Sequence, residues 1–551
     1  MNHYESTCKD GVLLIFPGNR KCAKELIEMA TTSSAIHSLE LSKISIDPDI
    51  HQPLLNLISS RTHWESISIH RCGGPVEDLV QQFLLVPPKR EPSDIEDTSN
   101  IINNLNQHPR MISVNHLSID MEPCYYAAPW PLCCEIYHRV SQLLLLQADG
   151  DACDISSSSL NRLTLCGPIT PTAAFALADG IQASSSTSSS LTYIELDHFK
   201  ILPEPRQELA IALLASAIAD NPNMVKLHLR GCDRHNPLPE RILSYLKDHM
   251  RTTDLDLSIS NLTIGSVGPV LAELLSHRNS PVRSLSLSKY LPWNQGRDAE
   301  FQDICNAIKA SRNDSKLKSL DLSGMRLQSR EMDYLMQRLQ FHPRLESLNL
   351  SYNFAEEGAV AAICQTLVTL KTPKRLILRG GECDSSIGQQ FSINDKAVAL
   401  LASSLMTIHQ QQNGNVQLQH LDLSHNTITD VGAEYLANSL SHIDGPRHID
   451  LRGNPITVKG CKLLAEGLRR NMYVESCQLD CDAENVSDIS RYCRLNRGRR
   501  RLLLSSTLSS SLKSCLLERI NRIQSKEDEG ESRLCQVNVL YAFLRQGQAL
   551  T

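Results

Sequence analysis

The sequence predicts an α/β solenoid: an inner face of short parallel strands, an outer layer of helices, and a helical cap at the C-terminus. Three observations predict it. Pairs of apolar residues separated by one position recur along most of the 551 residues. The commonest step between pairs is 28 residues, as in 39 to 67, 227 to 255, 320 to 348 and 421 to 449. After each pair and a turn, apolar residues return at helical spacing.

The clearest unit is Leu418–Leu440, LQHLDLSHNTITDVGAEYLANSL. Alternation along a strand sends Leu421 and Leu423 to one side and leaves Asp422 on the other. Asn426 ends the strand, because its carboxamide can bond backbone groups in the turn, and stacked copies of it predict a ladder between coils. Past Gly432, the residues Ala433, Leu436, Ala437 and Leu440 recur every three or four positions, which predicts a helix. One such coil cannot bury its own apolar face. It requires a neighbour on each side.

With the first residue of each pair as a marker, strands are predicted at Leu13, Leu39, Ile67, Leu117, Leu163, Ile194, Leu227, Leu255, Leu285, Leu320, Leu348, Leu376, Leu421, Ile449 and Cys477, about fifteen coils over residues 1–483. Longer steps locate insertions near 87–100, 122–137, 380–390 and 410–415. The first is charged and proline-bearing, the composition of a disordered excursion. The second holds Tyr125, Tyr126 and Trp130 in a chain that is only 5% aromatic, and reads as a local lid or a binding loop. Asn221-Pro222, His108-Pro109 and His342-Pro343 each fall just before a strand, where proline stops a helix from continuing. Residues 484–551 are predicted as the cap. Ile489, Tyr492 and Leu495 are helically spaced, a basic run follows at Arg497–Arg501, and an acidic linker at 525–532 separates two more apolar helices. The basic run reads as the solvated side of that cap, with a nuclear signal as the alternative.

The spacing L-x-x-L-x-L-x-x-N-x-I-x-x-x-G, met by Leu418, Leu421, Leu423, Asn426, Ile428 and Gly432, resembles the leucine-rich repeat. The 28-residue period and the LDLS wording of Leu320–Ser323 and Leu421–Ser424 resemble its ribonuclease inhibitor-like subclass. That resemblance implies a horseshoe with an inner parallel sheet and outer helices, and protein binding as the usual function. The tail pattern I-x-x-Y-x-x-L-N-R-G-x-R, followed after a linker by Val539–Leu550, resembles uncharacterised leucine-rich repeat proteins of diatom-type algae. It implies no activity.

A formal net charge of -6 is mild for this length, so neither nucleic acid nor an anionic membrane is expected as a partner. The phosphate-cradling G-x-x-x-x-G-K-[ST], the zinc-binding H-E-x-x-H and the nucleophile elbow G-x-S-x-G are missing, so no catalytic residue is expected. Eighteen cysteines contain no C-x-x-C pair and are read as reduced. The N-terminal apolar run VLLIF is too short for a signal peptide, which with reduced cysteines makes cytosol or nucleus the expected compartment. His420, His425 and His448 are expected to approach one another in neighbouring coils, near Cys477 and Asp450. No metal or cofactor is nevertheless expected.

What the repeat does provide is a surface. The residue between the two inward positions faces the concave side, and the C-terminal half of that row is the more acidic, with Asp321, Asp422 and Asp450. Tyr352, Arg375, Arg379, His420, Asp422, His425, Asp450 and Arg452 are therefore the candidate partner-binding residues, since Tyr and Arg on a rigid surface favour recognition. The expected function is a non-enzymatic scaffold that binds a protein partner through the concave face, with neither partner nor oligomeric state specified by the sequence. The alternative is a regulator of a small GTPase or another enzyme, because repeats of this period also occur in Ran GTPase-activating proteins. The acidic tail associated with those proteins is missing here, and no functional residue of theirs aligns.

Overall fold

The computed structural model describes residues 8–497, apart mainly from 17–22, 73–112, 121–139, 145–159, 186–190, 232–236, 258–263, 289–297, 311–315, 354–356, 383–389 and 412–417. The insertions expected at 87–100 and 122–137, most of the one at 410–415, the His108-Pro109 pair and the tail beyond Arg497 lie outside the described residues. The chain divides into two compact units, 1–304 and 305–551.

The first unit opens with β1 (Cys8–Lys9), antiparallel to β2 (Val12–Ile15). From β2 onward each strand pairs in parallel with the next: β3 (Ser38–Ser42), β4 (His63–His70), β5 (Ser113–Asp120), β6 (Arg162–Ile169), β7 (Tyr193–Ile201), β8 (Lys226–Arg230), β9 (Asp254–Asp256) and β10 (Ser284–Ser286). The markers Leu13, Leu39, Ile67, Leu117, Leu163, Ile194, Leu227, Leu255 and Leu285 form one row of register partners. All are buried, and each side chain so buried contributes roughly 2 kcal/mol. Helices α1 (Ala23–Thr32), α2 (Pro48–Ser59), α3 (Pro171–Ser184), α4 (Gln207–Asp220), α5 (Leu238–His249) and α6 (Ile264–Ser276) connect the strands. Their first turns carry unpaired N–H groups, and Asp47 and Thr170 cap α2 and α3 by accepting from the backbone of Ile50 and Ala173.

Helix α7 (Asp298–Ala310) lies across the division. The second unit then repeats the same coil with β11 (Ser319–Asp321), α8 (Ser329–Leu339), β12 (Ser347–Asn349), α9 (Glu357–Thr369) and β13 (Arg375–Ile377). A small antiparallel hairpin follows, β14 (Gly381–Glu382) on β15 (Gln390–Phe391), so the ends of the 380–390 insertion are paired. After it come α10 (Asp395–Gln411), β16 (His420–Asp422), α11 (Asp430–Leu440), β17 (His448–Asp450), α12 (Val458–Arg470), β18 (Ser476–Gln478) and α13 (Ala483–Arg497). Leu320, Leu348, Leu376, Leu421, Ile449 and Cys477 form the second buried row, all strands being parallel. All fifteen predicted markers therefore fall in strands.

The predicted asparagine ladder is present in this unit. The Asn426 amide donates to Leu378 O and Leu423 O at 2.9 Å, and its oxygen accepts from the Ile393 N–H at 2.8 Å. Asn454 repeats the arrangement one coil after, and Asn353 repeats it two coils before, the β13 coil between them carrying Gly381 at that position. Each carboxamide binds carbonyls of two coils, so it both closes its own turn and fastens the neighbour. On the helix side Asp395 accepts from Thr429 Oγ1 at 2.7 Å and from Gly432 N at 3.0 Å. Asp430 does the same one coil later to Thr457 at 2.6 Å and Gly460 at 2.9 Å. These carboxylates sit at helix N-termini, where the dipole favours negative charge.

The last coil is closed by α13. Ile489, Cys493 and Leu495 are buried, and Asn496 donates to Asn471 O and Val474 O at 3.2 and 2.9 Å. Open solenoid ends expose apolar edges and unpaired backbone, and this helix covers both. Among the described residues no helix is long and apolar enough to cross a membrane.

Candidate functional site

Alternation leaves two rows of side chains on the sheet face of the second unit, opposite the core. One row pairs Arg375 with His420, His448 and Ser476 across β13, β16, β17 and β18. The other pairs Asn349 with Ile377, Asp422, Asp450 and Gln478. Two residues beyond the second row stand Arg379 and Arg452, both exposed, as is Arg375.

The acidic members have structural employment that their spacing did not reveal. Asp422 Oδ1 accepts from Ser424 N at 2.9 Å, as Asp321 does from Ser323 N and Asn349 from Ser351 N. Asp450 accepts from Arg452 N and from its Nε, both at 3.0 Å. Burial opposes ionisation of Asp450, but these bonds from Arg452 outweigh it and hold the carboxyl below its ordinary value. The carboxylates thus make Asx turns and still present charge to the face.

Tyr352 and His425 do not stand on strands. They occupy the turn four residues after a marker, with φ of 57° at both, where Gly324 and Gly453 stand in other coils. This left-handed geometry is costly for a side-chain-bearing residue and aims Tyr352 at its neighbour across the coil. The Arg379 guanidinium carbon lies 6.0 Å from the Tyr352 ring centroid, and Arg379 N donates to Ser351 Oγ at 3.1 Å. The cavity beneath this pair, bounded also by Met332, Leu350 and Ile393, has a volume of about 20 Å³, space for one water and not for a ligand. Recognition here is therefore a surface event.

The expected histidine cluster forms only in part. His420 and His448 are register partners with ring centroids 6.1 Å apart. Burial, with help from Arg375, lowers the His420 pKa. His425 sits in the turn instead, so close to Gly453 that a Cβ there would lie 2.6 Å from His425 Nδ1. Cys477 belongs to the core row and points away from the histidines, because as a marker it occupies an inward position. The eight candidate residues therefore divide into a strand group (Arg375, His420, Asp422, Asp450), two flanking arginines (Arg379, Arg452) and two turn residues (Tyr352, His425).

The first unit carries a denser polar cluster: the rule that the residue between the two inward positions faces the concave side puts Thr164, Glu195, His228 and Asp256 on that face, though none is among the partner-binding candidates. Tyr193 donates its hydroxyl to Glu195 Oε2 at 2.6 Å. Arg230 bridges Glu195 Oε1 at 2.8 Å and Asp256 Oδ2 at 2.7 Å. His228 Nδ1 is 3.1 Å from the Tyr193 oxygen, and because that hydroxyl proton is committed to Glu195, the imidazole must be the donor. Its Nε2 is buried without a hydrogen-bond partner. Arg162 stacks on Tyr193 at 4.5 Å, and His116 Nε2 reaches Thr164 Oγ1 at 3.2 Å. Burial pushes His228 and His116 down and, together with the Glu195 bond, pushes Tyr193 up. A phenol so shifted is a poor nucleophile, and the arginine is held between two carboxylates. These residues stand one before, one after and three after the markers Ile194, Leu227 and Leu255; alternation assigns the middle set to the sheet face, and the register adds Tyr193 and Arg230 beside it.

A family model described as Leucine Rich repeat matches residues 414–437 and 447–465. The comparison with curated proteins found no match. Among solved structures, the chain is similar to the actin-binding site 2 of leiomodin-1, at 12% identity and a TM-score of 0.24, over 36% of this chain and 90% of that one. It is also similar to an internalin from Listeria monocytogenes, at 13% identity and a TM-score of 0.30, over 85% of this chain and 87% of that one. Both likenesses are distant. The two matched stretches coincide with the coils of β16 and β17, where the asparagine ladder is continuous, and there the chain carries leucine-rich repeats.

Proposed function

We propose that the protein is a non-enzymatic scaffold that binds a protein partner through the open sheet face of its second unit, the side read as concave from the sequence. The observation that carries this reading is the register row Asp422–Asp450 flanked by exposed Arg375, Arg379 and Arg452, with Tyr352 beside Arg379. Hydrogen bonds inside the turns hold the carboxylates in place before any partner arrives, so docking would lose little side-chain entropy. Guanidinium groups beside a tyrosine favour a protein surface of mixed charge, on which such residues act as anchors. The 28-residue step with a full helix in each coil supports the ribonuclease inhibitor-like subclass.

The test is affinity capture with the full chain and with the triple variant Arg375→Ala, Arg379→Ala, Arg452→Ala. All three side chains are exposed, so the variant keeps its fold by circular dichroism. Loss of a specific protein from the variant supports the reading. Retention of every captured protein by the folded variant sinks it.

A further inference from the structure

A further group of side chains in the first unit stands outside the polar cluster. Cys166 in β6 and Asp197 in β7 are register partners, and His198 follows Asp197 into the turn. The Cys166 sulfur, a carboxylate oxygen of Asp197 and a ring nitrogen of His198 all lie within 4.8 Å of one another. His198 Nδ1 is 2.9 Å from Asp197 Oδ1. Cys166 is buried, Asp197 half-buried and His198 exposed, so the group runs from the interior to solvent.

The backbone keeps room beside these donors. The turn position four residues after the marker is Gly167 in one coil, His198 in the next and Gly231 in the third, with φ of 101°, 49° and 61°. Only the middle coil carries a side chain there. A Cβ on Gly231 would lie 2.4 Å from His198 Nδ1 and 2.8 Å from Asp197 Oδ1. Glycine at 231 is thus what leaves the approach to the imidazole and the carboxylate open.

We propose that Cys166, Asp197 and His198 form a binding site for a divalent transition metal of the zinc class. A tetrahedral zinc with bonds of about 2.1 Å to N and O and about 2.3 Å to S separates its donors by about 3.4–3.6 Å. The three donors, all within 4.8 Å of one another, stand within about 1.5 Å of that spacing. One thiolate, one imidazole and one carboxylate select zinc or cobalt over magnesium and calcium, which prefer all-oxygen shells. Three protein donors leave the fourth position to water. Asp120, the register partner of Cys166 on its other side, adds a second carboxylate to the row. On binding, the Cys166 thiol gives its proton to solvent and the metal takes the Nδ1 lone pair, so the imidazole proton resides on Nε2.

The experiment uses the full chain, reduced and stripped of metal by a chelator, titrated with Co²⁺ as a spectroscopic substitute for zinc. One equivalent is expected to produce a thiolate-to-cobalt charge-transfer band together with the intense visible bands of four-coordinate cobalt. Cys166→Ser removes the charge-transfer band. His198→Ala, at an exposed position, weakens cobalt binding by an order of magnitude or more, and Cys481→Ser in the other unit leaves both unchanged. The proposal is overturned if the wild-type chain gives no charge-transfer band, or if the band survives Cys166→Ser in a folded chain. Should Cys166→Ser fail to fold, His198→Ala decides: unaltered cobalt affinity overturns the site.

Discussion

Strands β4–β7 of the first unit run eight or nine residues, whereas every parallel strand of the second unit runs three. The residue after the marker accounts for much of this. Where it is Asp or Asn, as at Asp256, Asp321, Asn349, Asp422 and Asp450, the strand ends at that residue. At the last four of these the side chain captures the N–H two positions on, while backbone bonds to the neighbouring coil continue, as from Leu423 N to Asp450 O at 2.8 Å. In β4–β7 the same position is Ser68, Ser118, Thr164 or Glu195, and the ladder continues. β10, β13 and β18 end at this point without an Asx residue. An Asx side chain at this position thus accompanies the change from strand to turn in four coils, and is not required for it in the other three.

The comparison can be broken or sharpened by substitution. The largest effect is expected from a charge in a core row. Leu421→Asp and Leu163→Asp should each cost about 4 kcal/mol or more in denaturant unfolding, because both rows are buried alike. A large difference between them would mean that the two units do not share one core logic. Next comes Asn426→Ala, which strands the Leu378 carbonyl and the Ile393 N–H and leaves Leu423 O with only the Asn454 amide, a loss of about 3 kcal/mol. The first unit has Phe199 at the equivalent position of β7, so this cost is peculiar to the second unit. A midpoint shift close to zero would remove the ladder from the account.

A smaller effect separates the units by pH. Burial lowers the His228 pKa in the folded chain, so the unfolded chain takes up the proton first as pH falls below 6.5. Stability contributed by the neutral imidazole is present above 6.5 and is lost as pH falls toward the lowered folded value. Asp450 in the second unit is also lowered, from 3.8, and its contribution is lost only in more acid solution. His228→Gln should therefore flatten the dependence of stability on pH between pH 7 and pH 5. An unchanged slope would contradict the neutral buried imidazole. The smallest effect is that of Asp422→Ala, about 0.5–1 kcal/mol for one Asx bond. A cost as large as that of Asn426→Ala would show that the turn, rather than the ladder, limits the coil.

The fold was legible because its signals are local. Alternation and helical spacing placed all fifteen markers in strands, and Asn426 announced its ladder. The site was legible only in part. Arg375, His420, Asp422 and Asp450 follow from alternation, whereas Tyr352 and His425 depend on a positive φ that residue type does not encode. The Tyr193–Glu195–His228–Arg230–Asp256 cluster joins side chains up to 35 positions apart, and only register brings them together. The markers supply that register for Glu195, His228 and Asp256, whereas Tyr193 and Arg230 join from neighbouring columns through side-chain reach that spacing does not encode.

The paired fastenings of the second unit have a mechanical consequence. Asn426 and Asn454 tie adjacent coils along the sheet edge, and Asp395 and Asp430 tie them along the helix edge. A joint clamped at both edges cannot open on one side without stretching the other, so these coils should flex as a stiff spring. The acidic clamp lapses after Asp430, because Val458 stands at the next equivalent position. Elastic strain from a pull on the C-terminal helix should therefore concentrate in the final joint.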